Sequence, residues 1–178
     1  MKKRYTLSIF TDNKAGLLNR VTIIFTRRKI NIESIAASES EVKDIHRYTI
    51  VIVDEEALVK KVVKQLEKQV EVYKAFYHLD EETVYQEISL YKLPTETLVQ
   101  GCDAESIIRN HNARVLSVEK DFVVIEKTGH KEETQLLFDE LAPYGILEFV
   151  RSGRVAISKP MKELREYLKD LKIASAKI

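Results

Sequence analysis

Short strands rich in β-branched residues and amphipathic helices alternate along this chain in an order that occurs twice. The order is strand, helix, strand, strand, helix, strand, first over residues 4–78 and again over residues 84–150. A unit with this order folds as an antiparallel sheet with two helices on one face, the ferredoxin-like arrangement. A repeat separation of about eighty residues therefore predicts an α+β protein with two ferredoxin-like βαββαβ domains.

An acidic segment, residues 79–83, separates the two repeats. We therefore place a first domain at residues 1–79 and a second domain at residues 80–160. Pro160 ends a last short strand, and leucines at helical spacing then predict an amphipathic helix over residues 161–173, within a tail of residues 161–178. The bare sheet face and strand edges of so small a first domain invite pairing with a second copy.

The predicted elements of the two domains follow from the spacing of their apolar residues. Strands are predicted at residues 4–11, 31–38, 46–53 and 70–78 of the first domain, and at 84–93, 114–118, 122–127, 146–150 and 155–158 afterwards. Asp54 is expected to cap the second helix. In the second domain, helices are predicted at residues 103–111 and 131–141.

The first helix starts beside a glycine. Asp12 or Asn13 is expected to cap it, and its apolar stripe is Leu17, Val21, Ile24 and Phe25. Gly16 in its first turn costs roughly 1 kcal/mol of helix propensity against alanine, so the presence of a glycine there needs an explanation. Either the missing Cβ lets an anion approach the free N–H groups of the helix, or the glycine is tolerated at a loose helix start.

Composition removes several classes of function. The 29 basic and 28 acidic side chains leave a formal charge of +1, so no global field favours nucleic acid or an anionic membrane. The single cysteine, Cys102, excludes an internal disulfide and a multi-cysteine zinc site. No apolar run has the length of a signal peptide or a membrane span. We expect a soluble, cytoplasmic protein.

The residues do not indicate catalysis or metal binding. The four histidines are scattered, and none lies at metal-ligand spacing with a carboxylate. Cys102 and His111 could form a nucleophile and base, but no glycine-rich oxyanion loop accompanies them. An RNA-binding α+β module needs stacking aromatics on its third strand, and here that strand, residues 47–53, is largely aliphatic.

Two short motifs carry a family resemblance. Residues 13–21, NKAGLLNRV, resemble the N-x-x-G-x-L-x-R loop and helix of ACT domains, which are small amino-acid-sensing modules. Residues 31–34, NIES, are similar to a tetrad of the acetolactate synthase (acetohydroxyacid synthase) small regulatory subunits. Residues 149–153, FVRSG, resemble the V-x-R-S-G ending of that family's C-terminal domain. The resemblance covers about residues 3–159, and the predicted tail helix extends beyond it.

The resemblance implies a non-catalytic regulatory subunit whose first domain is an ACT domain. Such a protein activates a large catalytic subunit that carries thiamine diphosphate, Mg²⁺ and usually FAD. That enzyme condenses two-oxo acids in the first common step of branched-chain amino acid biosynthesis. The small subunit, with no cofactor of its own, also confers feedback inhibition, commonly by valine. An ACT-type sensor that controls a different enzyme or a transcription factor stays open as an alternative.

In the resembled family the effector lies between the ACT domains of a homodimer. Carried over, Asn13 and the backbone of Gly16, Leu17 and Leu18 would hold the carboxylate and amino end from one chain. Asn31 and Ile32 would come from the other chain. The complete predicted set is Asn13, Ala15, Gly16, Leu17, Leu18, Asn31 and Ile32. Leu18 or Ile35 would form an apolar wall. One methylene is worth only about 1–3 kcal/mol in a pocket, so the preferred amino acid cannot be read from these residues.

Overall fold

A computed structural model describes residues 1–99 and 103–159 of the chain. It divides into two compact units, Met1–Val84 together with residues 154–159, and Tyr85–Gly153. Cys102 and the predicted helix over residues 161–173 lie outside the described residues. Within the described ranges, no helix is both long and apolar enough to cross a membrane.

The first unit has the predicted element order. Its four strands form one antiparallel sheet in the order β2-β3-β1-β4, with two helices in the connections, which confirms the ferredoxin-like arrangement. The strands β2 and β4 are the edges of this sheet. The elements are β1 (Lys3–Asp12), α1 (Leu17–Arg27), β2 (Ile32–Glu39), β3 (Ile45–Asp54), α2 (Glu56–Leu66) and β4 (Val72–Leu79), followed by a 3₁₀ turn at Asp80–Glu82.

The core of the first unit lies between the sheet and its helices. Every second residue of β1 points into it, and Leu7 and Ile9 are fully buried there. The stripe predicted for α1 is confirmed, because Leu17, Val21, Ile24 and Phe25 are all buried. Burial of these side chains is what holds each amphipathic helix against the sheet.

Both predicted helix caps are wrong. The helix α1 follows Gly16, which has φ +84°, and no side chain caps it. Asp12 lies too far before the helix and is engaged by other side chains. The helix α2 follows Glu55, also without a side-chain cap, while the Asp54 carboxylate accepts a hydrogen bond from the Glu55 N–H at 3.0 Å. In each case the helix starts later than predicted, because its start depends on backbone geometry, which the residue types alone do not show.

The second unit repeats the architecture. Its sheet has the order β6-β7-β5-β8, and Tyr91, Ile125 and Leu137 are fully buried in its core. A short helix, α3, was not predicted. The elements are β5 (Thr83–Pro94), α3 (Glu96–Val99), α4 (Ala104–Asn110), β6 (Arg114–Val118), β7 (Phe122–Gly129), α5 (Lys131–Leu141), a 3₁₀ turn at Ala142–Tyr144 and β8 (Glu148–Arg151).

The outer face of the first sheet is less bare than predicted, because residues 154–159 cover part of it. The strand β9 (Val155–Ser158) pairs with β5, whose first two residues belong to the same unit as β9. Arg154, 2% exposed, donates to the Thr6 hydroxyl at 2.9 Å and to the Asp80 carboxylate at 2.5 Å. The Arg47 guanidinium donates to the Ala156 carbonyl at 2.6 Å. The Thr6 hydroxyl of β1 thus contacts a buried cation, Arg154.

Candidate functional site

The loop between β1 and α1 is fastened to the sheet at both of its strand neighbours. The Asp12 N–H donates to the Glu71 carbonyl at 3.0 Å, and the Asn13 N–H donates to the Asp44 carbonyl at 3.1 Å. These bonds continue the sheet ladder past the end of β1. They hold the backbone of the loop in place and leave the Asn13 side chain exposed.

The carboxylate of Asp12 organises the inner side of this loop. It accepts a hydrogen bond from the Lys14 ammonium at 2.6 Å and another from the Tyr73 hydroxyl. These two donors, the Lys14 ammonium first, hold the pKa of the Asp12 carboxyl below its usual range. The carboxylate in turn raises the pKa of Tyr73 to about 12. Asp12 is therefore a fixed anion that anchors the loop rather than a free acid.

The backbone conformation at residue 16 favours a glycine. Its φ of +84° lies in the left-handed region, which costs other residues roughly 1–2 kcal/mol. A Cβ placed on Gly16 would meet no atom within 4 Å, so the space in front of it is open. The positive φ by itself accounts for the glycine and does not decide between an approaching anion and a loose helix start. The open space is compatible with a ligand at this position.

The start of α1 presents backbone donors toward that open space. The first N–H groups of any α-helix have no intrahelical acceptor, and the positive end of the helix dipole favours an anion there. The Leu17 N–H donates to the Lys14 carbonyl at 3.4 Å, and the Arg20 N–H donates to the Gly16 carbonyl at 3.2 Å. The N–H groups of Leu18 and Asn19 are the remaining first-turn donors.

The predicted effector residues occupy two places on the first unit. Leu17 contributes only backbone to the first place, because its side chain is 2% exposed. Asn31 is exposed directly before β2, and Ile32 is half-buried against the core. The candidate wall residues Leu18 and Ile35 are 42% and 37% exposed. The first place holds Asn13, Ala15, Gly16, Leu17 and Leu18, and the second holds Asn31 and Ile32.

Strand register separates these two places within one chain. Asp12 is opposite Ile45 at one end of β3, whereas Ile32 is opposite Ile52 near the other end. Seven residues of β3 at ~3.3 Å each separate them by roughly 23 Å. An amino acid spans far less than this distance. One copy of the chain therefore does not bring the two groups of residues together around one ligand.

Sequence reasoning missed the residues that fasten the loop. Tyr73 and Glu71 contact Asp12, and Asp44 contacts Asn13, and strand pairing brings all three to the loop from tens of residues away in the chain. Asp44 has φ +65°, a conformation that aspartate tolerates better than most residues. In the sequence, Glu71 and Tyr73 are an acidic and an aromatic residue two positions apart. No rule based on neighbouring residues predicts that they contact the loop after β1.

The third strand provides no base-stacking aromatic on an open face. Tyr48 is 4% exposed and belongs to the helix-covered core, and the half-buried His46 ring lies beside it at 6.4 Å between ring centroids. RNA-recognition modules need exposed rings on this strand. The geometry therefore disfavours the RNA-binding alternative.

Two family models match this chain. Residues 7–74 match the AHAS small subunit-like ACT domain, and residues 86–160 match the small subunit of acetolactate synthase. Together they cover most of the 178 residues. The chain belongs to the acetolactate synthase small-subunit family. The resemblance of the loop, tetrad and C-terminal motifs is thereby confirmed.

Members of the acetolactate synthase small-subunit family match over nearly their whole length. The Mycolicibacterium smegmatis acetolactate synthase small subunit is 35% identical over 87% of this chain and 91% of its own. The Bacillus subtilis one is 35% identical over 89% and 91%. The Thermotoga maritima acetolactate synthase small-subunit crystal structure has a TM-score of 0.80 and 25% identity, covering 90% of this chain and 99% of its own. The two-domain α+β fold is thus a family property.

Proposed function

We propose that this chain is the regulatory subunit of an acetolactate synthase. It binds and activates a separate catalytic large subunit and confers feedback inhibition by a branched-chain amino acid, with valine as the first candidate. The large subunit is expected to carry thiamine diphosphate, Mg²⁺ and FAD, and this chain is expected to carry no catalytic residue. Family membership supports the partner, and the ACT unit supports the regulatory role.

The observation that carries the effector proposal is the separation of the two predicted groups of residues within one chain. The strand β2 is an edge of its sheet and is free to pair. If β2 pairs antiparallel with β2 of a second copy, the start of one β2 lies beside the end of the other. Glu39 ends β2 opposite His46, at the same end of the sheet as Asp12. Asn31 of one copy then lies at the sheet end where its partner carries Gly16.

A site assembled in this way suits a free amino acid. The effector carboxylate would lie at the N–H groups that open α1, where the helix dipole favours an anion. The side-chain amides of Asn13 and Asn31 supply both donors and acceptors, so the buried zwitterion needs no ionised protein group. Leu18 and Ile35, both substantially exposed in one copy, would cover the aliphatic side chain of valine.

Binding across two copies supplies a route to regulation. An effector held by both chains stabilises one arrangement of the pair over another. The large subunit can respond only if the two arrangements bind the effector with different affinity. A coupling free energy of about 1–3 kcal/mol would change the affinity of one ligand by roughly 5- to 150-fold when the other binds.

The direct test is turnover of the purified large subunit with and without this chain, titrated with valine, leucine and isoleucine. We expect activation by the chain and inhibition by at least one of the three amino acids. Asn31→Ala should abolish inhibition and keep activation. Asn110→Ala, which changes an exposed asparagine of the second unit, should keep both. Absence of activation by the unmodified chain would refute the regulatory assignment.

A mixing experiment tests whether the site is shared between copies. Asn13→Ala and Asn31→Ala each break both sites of a homodimer. A heterodimer of the two variants has one doubly broken site and one intact site. Mixing should therefore restore valine binding to one site per heterodimer, as measured by calorimetry. If both asparagines acted within one chain, mixing would restore nothing.

A further inference from the structure

The other edge of the first sheet, β4, borders a basic groove. The groove has a volume of about 550 Å³ and lies between α2 and β4. Lys60, Val63 and Lys64 form part of its helix side, and Lys74, Ala75 and Tyr77 form part of its strand side. Val63 and Ala75 are buried, so the groove has an apolar floor and a cationic rim. We name it the β4 groove.

The charges of the β4 groove do not balance. Lys60 pairs with Glu56 at 2.7 Å, and Lys74 pairs with Glu67 at 2.6 Å. Lys64 makes no ion pair with any residue in ranges 1–99 and 103–159. Because Glu56 and Glu67 balance two of the three lysines, one positive charge, that of Lys64, is left unbalanced at the groove. This surface therefore complements an acidic partner.

The backbone of β4 already binds a carboxylate at the groove. The Ala75 N–H donates to the Glu67 side chain at a long 3.5 Å. An edge strand presents such N–H and C=O groups for pairing with another extended segment. Glu67 occupies one of them with a contact weak enough to displace.

We propose that the β4 groove binds an extended, acidic segment of the catalytic large subunit, which adds to the sheet at β4. The proposal rests on the regulatory function proposed above. If β2 pairs with a second copy, the joined sheet has a β4 strand at each of its two ends. A dimer then offers two identical grooves, one for each of two catalytic subunits, and neither competes with the effector residues on β2.

The test is activation of the large subunit by the full chain and its variants, titrated to half-maximal effect. Lys64→Glu turns attraction into repulsion without breaking an ion pair, and should raise the half-activating concentration about three- to tenfold. The double variant Lys60→Gln/Lys64→Glu should raise it more than tenfold. Raising the salt from about 50 to about 300 mM should weaken activation by the unmodified chain more than activation by Lys64→Glu.

Lys61→Glu is the matched control, because Lys61 is exposed on the same helix and does not line the groove. It should shift the half-activating concentration less than twofold. Circular dichroism and valine calorimetry should be unchanged in all of these variants, which separates a docking defect from misfolding.

Glu67→Gln tests the edge strand, and it is expected to lower the half-activating concentration rather than raise it. It removes the anion that competes for the Ala75 N–H and also pairs with Lys74, so both donors become available and the half-activating concentration should fall about threefold. The proposal is overturned if Lys64→Glu activates like the unmodified chain, if Lys61→Glu is equally impaired, or if Glu67→Gln only produces self-association through β4. If the unmodified chain fails to activate, the regulatory function itself fails, which is a distinct result.

Discussion

A charge placed at Gly16 should disrupt feedback inhibition through electrostatic repulsion. The matched pair is Gly16→Asn and Gly16→Asp. Both residues tolerate the left-handed φ of +84° better than other residues do, and neither Cβ would clash, because no atom lies within 4 Å. Each variant should lose about 1 kcal/mol of unfolding free energy. The two therefore share shape and conformational cost and differ in charge.

The magnitude follows from the geometry of the helix start. A carboxylate on residue 16 would lie about 5 Å from an effector carboxylate bound at the first N–H groups of α1. At the effective dielectric constant of about 20 found near protein surfaces, the repulsion is roughly 3 kcal/mol. Gly16→Asp should therefore bind valine about 150-fold more weakly than Gly16→Asn. Activation of the large subunit should survive in both variants.

Calorimetry of valine binding and inhibition of large-subunit turnover measure the two effects on the same preparations. Urea denaturation checks that both variants fold to similar extents. Equal loss of binding in the two variants would show that bulk rather than charge at residue 16 matters. Unchanged inhibition by valine in Gly16→Asp would refute the placement of the anion at the start of α1.

Three further predictions concern stability and titration. Leu137→Ala removes a fully buried side chain of the second unit and should cost about 2–5 kcal/mol of unfolding free energy, measured by urea denaturation. Arg154→Met removes the nearer of two cations from the Asp80 carboxylate, which keeps Arg4 at 3.8 Å, and should cost about 1–3 kcal/mol in the same assay, whereas an unchanged midpoint would show that the Arg154–Asp80 pair adds nothing. Asp12→Asn should lower the pKa of Tyr73 from about 12 toward its ordinary 10.0, seen by ultraviolet absorbance titration. Because the folded pKa is raised, the stability that this hydrogen bond contributes should be complete below pH 10.0 and lost as pH rises to about 12.

Local sequence pattern predicted most of the elements. The bounds of α5 and β6, Lys131–Leu141 and Arg114–Val118, coincide with prediction because apolar periodicity and flanking turn residues agree there. The short helix Glu96–Val99 was missed because four residues are too few for a periodic signal. Cap prediction failed at α1, because the helix follows Gly16, whose backbone is left-handed, and not Asp12 or Asn13.

At the candidate site too, the sequence identified some residues, and only the fold showed their contacts. The motif at residues 13–21 identified the exposed residues of the loop, since family resemblance acts on contiguous residues. It could not identify Tyr73 as the partner of Asp12, because that contact joins strands 61 positions apart in the chain. Nor could it show that residues 154–159 cover Thr6, because pairing across such a distance depends on packing.

The amino-acid sequence alone establishes the element order, the amphipathic faces and the family, since these are encoded in short-range periodicity and contiguous motifs. Only the folded chain shows that Asn13 and Asn31 stand at opposite ends of one sheet, that Gly16 faces open space, and that β2 and β4 are its edges. Strand register and sheet order arise from pairing between distant segments. No local pattern specifies those pairings, and they place the two predicted groups of effector residues at opposite ends of the sheet.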